Sequence, residues 1–421
     1  MKGILFPAAL LLTLLAFVKA EACTTAVIPA SASRTGRPLL WKQRDTSEEA
    51  NHLAHFRGER YAFTGLVDTA DTLLESVWCG ANEAGFAIAN NVSYNLRPDS
   101  LENKPYEGLV MKRALGCCAT VDDFERMLRE MPHPNGLETN YGVIDAAGGA
   151  AYFEVWDYGY TRYDAADTPE GYLWRTNFSL SGRPDEGRGY TRYATAEETM
   201  AAEAAEKFSP EWLLDSLGRS FRNAVLGTDL MQEPLPASGL VLDVDYIPRY
   251  TTTASIVIEG VAAGEAPNSA VLWCAPGYTP CCYAIPVWVA AGDRIPAILT
   301  LPAGNPEAIE AAGKAKKSEK AGTTGAVGKK APANATAQQL QQSLYPLDRD
   351  GGHVYLDMRR LWEGILPEVR RAEALEFEEG KELDRKLRRT GFDPEAVAAY
   401  NERACERFRQ YRERIIQFLQ P

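Results

Sequence analysis

The segment CTTAVI, residues 23–28, predicts the first β-strand of the fold, because a cysteine is followed by β-branched and apolar residues. Directly before it, a lysine and an apolar run from Ile4 to Val18 lead into Ala20-Glu21-Ala22. A basic residue, a short apolar run and small residues at its end are typical of a secretory signal peptide. We therefore expect residues 1–22 to be removed on export, so that Cys23 begins a secreted or periplasmic protein.

The composition indicates a globular protein rather than a polyanion-binding or membrane protein. The 421 residues are 45% hydrophobic, and 57 Asp and Glu outnumber 45 Lys and Arg to give a formal net charge of −12. Binding to nucleic acid or to anionic lipid relies on clustered basic residues, so neither is expected as a partner. After the leader, no apolar run approaches the roughly 20 residues that span a bilayer as a helix, so we do not expect an integral membrane protein.

Short apolar runs alternate with turn residues between about residues 24 and 300 and predict a body of many strands. Most links are of hairpin length, which favours antiparallel sheets covered by helices over a doubly wound parallel sheet. We therefore predict an α+β domain over residues 23–303. Helical patterns lie among the strands at Tyr106 to Leu115, Val121 to Met131, Thr195 to Phe208 and Pro210 to Ser220.

Beyond this body the composition changes twice. Residues 304–342 are dominated by Gly, Ala, Lys, Ser, Thr and Gln, which predicts a low-complexity linker or disordered loop. Residues 343–421 form a predicted helical C-terminal extension, in which Asp393-Pro394 is a good helix start. Apolar residues recur every three or four positions from Val397 to Phe418, so this helix is expected to pack on its own chain or, alternatively, to mediate a homo-oligomer.

The cysteines of an exported protein are first of all disulfide candidates. Their connectivity cannot be deduced from the sequence, and none of them has the paired spacing of a zinc site. We expect neither a metal ion nor an organic cofactor. The eight residues are Cys23, Cys79, Cys117, Cys118, Cys274, Cys281, Cys282 and Cys405.

Cys23 is the strongest candidate for chemistry, because cleavage before it would place a thiol and a free α-amino group on one residue. The thiol is the nucleophile, and an α-amino group with a pKa of about 7.7–8.0 can take its proton and later return it to a leaving amine. No histidine is needed for this reaction. A cysteine–histidine dyad is the alternative, for which the chain offers His52, His55, His133 and His353.

Two segments near the amino terminus resemble motifs of the cysteine-type N-terminal nucleophile amide hydrolases, the superfamily of bile salt hydrolases, penicillin V acylase, acid ceramidase and the acyl-coenzyme A:6-aminopenicillanic acid acyltransferases. Cys23-Thr-Thr-Ala-Val27 is similar to their nucleophile strand, and Leu40-Trp-Lys-Gln-Arg-Asp45 is similar to their Gly-Arg-Asn-x-Asp hairpin. The match puts Asp45 on the family's aspartate and Lys42 where an arginine is usual. Lys42 keeps the positive charge but not the bidentate fork, and adjacent Arg44 is a candidate to share its role.

Two later motifs of the family supply asparagines in the same order. Asn82-Glu-Ala-Gly-Phe86 leads to an asparagine that matches an active-site residue, which is Asn91 or its neighbour Asn90. Arg175-Thr-Asn-Phe178 resembles the segment that supplies an oxyanion-hole amide, with Asn177 as its asparagine. An amide group suits this role because it stabilises developing negative charge without having a proton to lose.

Gly189-Tyr-Thr-Arg-Tyr193 resembles the family's Ser-x-Arg-Tyr element, which makes Arg192 the match for the active-site arginine and Arg188 the alternative. In the family, the aspartate matched by Asp45 accepts a hydrogen bond from the α-amino group, and the cation matched by Lys42 stabilises the thiolate. The resemblance also implies a four-layer αββα sandwich with two antiparallel sheets, a small-molecule amide as substrate, and no cofactor.

These features together predict an amidase that hydrolyses a linear C–N amide bond of an N-acyl substrate through a thioester on Cys23. An acyltransferase is the alternative if an amine resolves the thioester in place of water. A lipoprotein or binding module with lipid on Cys23 is another, although Ala20 and Glu21 depart from the Leu and small residues that a lipobox favours. A disulfide-stapled interaction module would explain the cysteines but not the ordered motifs.

Overall fold

The computed structural model of the chain describes residues 22–96, 106–300, 333–345 and 354–419. Residues 1–21 of the predicted signal peptide therefore lie outside the described residues, as do residues 304–332 of the predicted linker. The described chain contains two large antiparallel sheets and two small two-stranded ones.

Six strands form the first sheet, and every pairing within it is antiparallel. They are β1 (Ala22–Ile28), β2 (Leu39–Asp45), β10 (Leu173–Arg175), β14 (Thr252–Glu259), β15 (Val271–Pro276) and β16 (Ile285–Trp288). Their spatial order is β10-β1-β2-β14-β15-β16, so the strand that begins with Cys23 has a neighbour on each side.

Seven strands form the second sheet in simple chain order, again with antiparallel pairing throughout. They are β3 (Asn51–Arg57), β4 (Ala62–Asp68), β5 (Cys79–Asn82), β6 (Ala87–Val92), β7 (Thr139–Ile144), β8 (Ala150–Trp156) and β9 (Gly159–Asp164). The small sheets pair β11 (Arg222–Asn223) with β12 (Thr228–Asp229), and β13 (Leu240–Leu242) with β17 (Tyr355–Asp357).

Helices cover the outer face of each sheet, while β1 and β2 of the first sheet contact β6 and β7 of the second. The helices Glu107–Cys117 and Val121–Glu130 contact the second sheet. The first sheet contacts the helices Tyr190–Glu203, Pro210–Trp212, Ala333–Leu344 and Leu366–Thr390. Two further helices are Met358–Arg360 and Pro394–Ile415. The predicted α+β fold, with two antiparallel sheets between layers of helices and with C-terminal helices, is confirmed.

The central strands of the first sheet are buried on both faces. All residues of β1, β2 and β14 are buried, because one face meets the second sheet and the other meets helices. This is why polar residues of these strands, among them Lys42 and Asp45, lie inside the protein. A polar group buried in this way must find partners within the fold.

The structure differs from the sequence-based boundaries in two places. The helix Ala333–Leu344 begins inside the predicted linker of residues 304–342, because apolar residues at helical spacing, such as Leu340 and Leu344, are buried in the core. In the predicted helical extension, Tyr355–Asp357 is a strand rather than a helix, since it completes a sheet with Leu240–Leu242.

The long C-terminal helix packs on the body of its own chain. Asp393 caps it as predicted, with its carboxylate accepting a hydrogen bond from the backbone N–H of Ala396 at 3.0 Å. The apolar stripe predicted from the sequence is buried from Val397 to Ile415. The hydroxyl of Tyr411, for example, donates to the backbone oxygen of Cys281 at 2.8 Å. This stripe is therefore covered within the chain.

A buried ion pair joins the body to the C-terminal helices and yields a stability prediction. Arg219, with a fully buried side chain, binds both carboxylate oxygens of Glu373 at 2.6 and 2.8 Å. Glu373→Gln should lower the free energy of unfolding by about 3–5 kcal/mol, because the buried guanidinium loses its bidentate partner and keeps only Asp215, at 3.3 Å. Urea denaturation measures this change. Glu368→Gln on the same helix, where the partners are exposed, should cost less than about 1 kcal/mol; equal losses would contradict the prediction.

Candidate active site

Strands β1 and β2 place four of the polar side chains on one face of the first sheet. Cys23 lies opposite Arg44, and Thr25 lies opposite Lys42. Because side chains two residues apart in a strand project to the same side, these four residues share a face. Hydrogen bonds from Thr25 and Lys42 to residues of β6 show that this face is turned toward the second sheet.

The start of β1 is held by Asn177 and Arg192. The backbone N–H of Cys23 donates to Oδ1 of Asn177 at 2.9 Å, and Nη1 of Arg192 donates to the backbone oxygen of Cys23 at 2.8 Å. Nη2 of Arg192 also donates to Oδ1 of Asn177, at 2.8 Å. The side-chain NH₂ of Asn177 donates to the backbone oxygen of Val92 at 2.9 Å. The three sequence-predicted residues Cys23, Asn177 and Arg192 are thus in direct contact.

A glycine gives Arg192 its position on the helix Tyr190–Glu203. Gly189 precedes this helix with a φ of +76°, and a Cβ there would lie only 2.4 Å from Nη2 of Arg192. Arg188, the alternative from the sequence, has an exposed side chain that stacks on the ring of Tyr94 at 4.2 Å. The structure therefore brings the side chain of Arg192 to Cys23.

The adjacent asparagines on β6 make different contacts. Oδ1 of Asn91 accepts a hydrogen bond from the hydroxyl of Thr25 at 2.8 Å, and Tyr152 donates to the same hydroxyl at 2.7 Å. Nδ2 of Asn91 is buried and has no hydrogen-bond partner among the described residues. Asn90 instead accepts a hydrogen bond from Nζ of Lys42 at 2.7 Å. Asn91, on the second sheet, therefore offers a buried, unpartnered amide donor toward the face of the first sheet that carries Cys23.

The two basic residues of β2 are held by different groups. Lys42 is buried, and its Nζ donates to both the backbone oxygen and Oδ1 of Asn90 at 2.7 Å. Arg44 makes a bidentate ion pair with Asp68, at 2.6 and 3.1 Å, and stacks on Trp78 with its guanidinium carbon 5.0 Å from the ring centroid. The carboxylate of Asp68 offsets the charge of Arg44, which makes Lys42 the stronger candidate for a cation acting near the thiol.

Asp45 lies opposite Ala22, next to the peptide bond that signal cleavage would cut. Its Oδ1 accepts a hydrogen bond from the hydroxyl of Thr252 at 2.7 Å, and Nε of Arg249 lies 3.8 Å from its Oδ2. Burial raises the pKa of Asp45 to about 7, although Arg249 and Arg192 act to lower it. A carboxyl that titrates near neutral pH is suited to accept or share a proton with an amine.

Several residues of this site were not among those predicted from the sequence. Thr25 could have been found from its position two residues after Cys23, on the same face of the strand. Thr252, the first residue of β14, donates a hydrogen bond to Asp45. Asp245 and Arg249 belong to an irregular loop. Only the tertiary fold brings Asp245 to Arg192 and Arg249 to Asp45.

The other cysteines and the histidines have contacts of their own. Cys79, Cys117, Cys118, Cys274, Cys281, Cys282 and Cys405 are thiols rather than the disulfides that export led us to consider. Burial raises the pKa of Cys79 to about 12, which makes it a poor nucleophile. The rings of His52, His55 and His133 face Thr69, Thr64 and the backbone oxygen of Asp157, respectively, whereas His353 lies outside the described residues.

Two further observations concern metals and membranes. Within the part of the chain that the structure describes, no three His, Cys, Asp or Glu side chains are grouped so that they could hold a metal ion. Over the same residues, no helix combines the length and the apolar character needed to cross a membrane.

Comparisons with known proteins address part of this site. Residues 50–212 match the family described as acyl-coenzyme A:6-aminopenicillanic acid acyl-transferase. The matched range includes Asn91, Asn177 and Arg192 and begins after Cys23 and β2. No curated protein matches the chain significantly.

Three solved structures are similar to parts of the chain. An N-acylethanolamine-hydrolyzing acid amidase ortholog from Caenorhabditis elegans is 15% identical, with a TM-score of 0.39, over 56% of this chain and 92% of that one. A conjugated bile acid hydrolase from Clostridium perfringens is 10% identical, with a TM-score of 0.35, over 60% and 89%. Penicillin V acylase from Agrobacterium tumefaciens is 14% identical, with a TM-score of 0.33, over 62% and 85%.

The family match extends the similarity from short motifs to a continuous stretch of residues that runs from β3 through the helix Tyr190–Glu203. The match to the acyl-coenzyme A:6-aminopenicillanic acid acyl-transferase family over residues 50–212 confirms the resemblance of this chain to the N-terminal nucleophile hydrolases.

Proposed function

We propose that this chain is an exported amidase that hydrolyses a linear amide bond of a small N-acyl substrate, with Cys23 as its N-terminal nucleophile. The observation that carries the proposal is the contact set at the start of β1. Asn177 holds the backbone nitrogen of Cys23 at 2.9 Å, and Arg192 holds its backbone oxygen at 2.8 Å. These two contacts fix the position of the nitrogen that would become the amine base on the same residue as the thiol.

Activation of the thiol would follow from removal of residues 1–22. Cleavage converts the amide nitrogen of Cys23 into an α-amine, which can take the thiol proton. Asn177 already accepts a hydrogen bond from this nitrogen, and Asp45 lies opposite the residue that is removed. Lys42 adds a positive charge on the face of Cys23, and a nearby positive charge favours the thiolate.

The reaction then proceeds by acyl transfer to sulfur. The thiolate attacks the amide carbonyl, and Nδ2 of Asn91 donates a hydrogen bond to the oxyanion that forms. The C–N bond breaks as the α-ammonium group of Cys23 gives its proton to the leaving nitrogen. Water attacks the resulting thioester while the amine takes a proton from this water. The C–S bond then breaks, which releases the carboxylic acid and returns Cys23 as the thiolate beside its ammonium group. Apart from the amide substrate, the reaction consumes only water.

An acyltransferase is the second candidate, because the description of the matching family names acyl transfer. In that reaction an amine attacks the thioester in place of water. The two activities share every step up to the thioester, and they differ in whether the acyl group appears on water or on an added amine. Water is abundant outside the cell, which is why we favour hydrolysis.

Processing before Cys23 is the first prediction of the proposal. We expect the exported protein to have Cys23 as its amino-terminal residue, and iodoacetamide to add to that residue, as seen by amino-terminal sequencing, intact mass and peptide mapping. A Cys23→Ser variant, exported in the same way, is the control and should show no alkylated amino-terminal peptide. An amino terminus elsewhere, or a mass that includes lipid on Cys23, would contradict the proposal and favour a binding module or lipoprotein.

A further inference from the structure

The helix Ala333–Leu344, most of which falls within the predicted linker, lies at the end of the first sheet where the candidate site is found. In the helix Ala333–Leu344, Nδ2 of Asn334 donates to the backbone oxygen of Glu49 at 3.1 Å. One turn before its end, Nε2 of Gln341 donates to the backbone oxygen of Tyr250 at 2.6 Å. These two carbonyls belong to the loop after β2 and the loop before β14, which are neighbouring strands. The helix therefore bridges the loops at this edge.

Tyr345, directly after the helix, adds a partly buried contact to the loop before β14. Its hydroxyl donates to Oδ2 of Asp243 at 3.4 Å and lies 3.1 Å from the hydroxyl of Tyr278. Oδ2 of Asp243 also accepts the backbone N–H of Tyr250 at 2.7 Å, so one carboxylate oxygen joins Tyr345 to the loop backbone. The rings of Tyr345 and Tyr250 meet edge to face, with centroids 5.1 Å apart. Tyr345 therefore contacts the ring of Tyr250 directly and the backbone of Tyr250 through Asp243.

The same loop, residues 243–251, carries two charged residues of the site. Nη1 of Arg249 binds Oδ1 of Asp245 at 2.5 Å, and this oxygen also accepts a hydrogen bond from Nε of Arg192 at 3.0 Å. Nε of Arg249 lies 3.8 Å from Oδ2 of Asp45. Asp245 has a φ of +58°, a conformation that costs free energy for a residue with a side chain and persists when its surroundings fix it.

We propose that the helix Ala333–Leu344 together with Tyr345 is a positioning element of the active site, which holds the loop 243–251 so that Arg249 and Asp245 keep their contacts with Asp45 and Arg192. The inference deepens the proposed function and rests on it. Gln341 and Tyr345 act through the loop, and they are positioning residues rather than catalytic ones.

The consequence for the site is a change in the titration of Asp45. Arg249 and Arg192 lower its pKa, the hydroxyl of Thr252 also lowers it, and Asp245 raises it. Cleavage before Cys23 would add a further positive charge, the α-amino group, next to the position opposite Asp45. When the loop loosens and Arg249 moves away, the pKa of Asp45 rises, so the carboxyl keeps its proton to a higher pH. The acidic limb of the pH profile of kcat/KM should therefore move to higher pH.

Tyr345→Phe tests the proposal because it removes only the hydroxyl. With N-acyl p-nitroanilides as substrates of the full-length processed protein, we expect kcat to fall about three- to tenfold, the effect of one lost hydrogen bond. KM should change less than about twofold, since the hydroxyl does not bind substrate, and the acidic limb should move upward. The matched control is Tyr411→Phe, which removes a buried hydroxyl bonded to the backbone of Cys281. It should leave the pH profile in place.

Two further measurements separate positioning from general destabilisation. Arg249→Gln should move the acidic limb by itself, and Tyr345→Phe added to it should produce no further shift, because both changes act through Arg249. Hydrogen–deuterium exchange of residues 243–251 should become faster in Tyr345→Phe than in Tyr411→Phe. An unchanged acidic limb with unchanged exchange would overturn the proposal, as would equal effects of the two tyrosine variants.

The exchange measurement also distinguishes this proposal from the proposed function. A parent protein without activity on any amide would contradict the proposed function. In that case, faster exchange of residues 243–251 in Tyr345→Phe alone would still support the holding of the loop by the helix, and unchanged exchange would overturn it.

Discussion

Replacement of Cys23 by alanine should abolish amide hydrolysis, with a loss of at least about 10³-fold in kcat/KM, as expected when a nucleophile is removed. In the proposed reaction Cys23 supplies the atom that attacks the carbonyl, and the hydroxyl of Thr25 on the same face is engaged by Asn91 and Tyr152. Its side chain is small and almost fully buried, so the stability should change by only about 1 kcal/mol. Steady-state kinetics with an N-acyl p-nitroanilide, together with thermal unfolding, measures both effects.

Cys405→Ala is the matched control for the loss of a thiol. This cysteine is partly exposed on the helix Pro394–Ile415, away from the first strand, and its removal should leave kcat/KM within about twofold of the parent. Retention of more than a tenth of the activity by Cys23→Ala would show that another group is the nucleophile. The cysteine–histidine alternative would then have to be examined with the histidine variants.

Asn91→Asp should produce the second largest loss, about 10²- to 10³-fold in kcat, with little change in KM. The substitution keeps the size of the side chain and the oxygen that accepts the hydrogen bond from Thr25 at 2.8 Å. It replaces the buried, unpartnered NH₂ group by an oxygen, so a donor to the developing oxyanion becomes an acceptor with negative charge. Because the oxyanion forms only after attack, the effect should appear in kcat.

The same substitution at the neighbouring residue provides the control. Asn90→Asp keeps the oxygen that accepts a hydrogen bond from Lys42 at 2.7 Å, and it should lower kcat less than about tenfold. Circular dichroism of both variants would verify that they fold. A larger loss for Asn90→Asp than for Asn91→Asp would mean that Asn90 is the oxyanion donor, and would contradict the assignment made from the buried NH₂ group.

The fold could be predicted from the sequence where local patterns decide the structure. Strand β1, the helices near Glu107–Cys117 and Val121–Glu130, and the cap at Asp393 all follow from alternation, helical spacing and capping residues. The helix Ala333–Leu344 could not be predicted, because a polar, low-complexity segment gains its stability by packing against the body. Tyr355–Asp357 was predicted as helix for a related reason, since its strand exists only through its partner Leu240–Leu242.

For the candidate site, the motifs supplied Cys23, Asn177 and Arg192 but not Asp245 and Arg249 of the loop before β14. Cys23 is 154 positions from Asn177 and 169 positions from Arg192, and the structure brings the three residues into contact. The motif does not separate Asn90 from Asn91, because these adjacent residues differ in the side chains that they meet, Lys42 for Asn90 and Thr25 for Asn91. Arg249 could not be found at all, since its approach to Asp45 depends on a loop held by distant parts of the chain.

The presence of Ala22 in β1 has a consequence for when the enzyme would become active. The strand is complete with residue 22 still attached, and Asn177 already bonds to the nitrogen of Cys23. An amide nitrogen has no basic lone pair, so the uncleaved chain would be a folded zymogen whose thiol lacks a base. One proteolytic cut, without refolding, would switch it on. Within the proposed function, such latency would protect amides in the producing cell until the protein has left it.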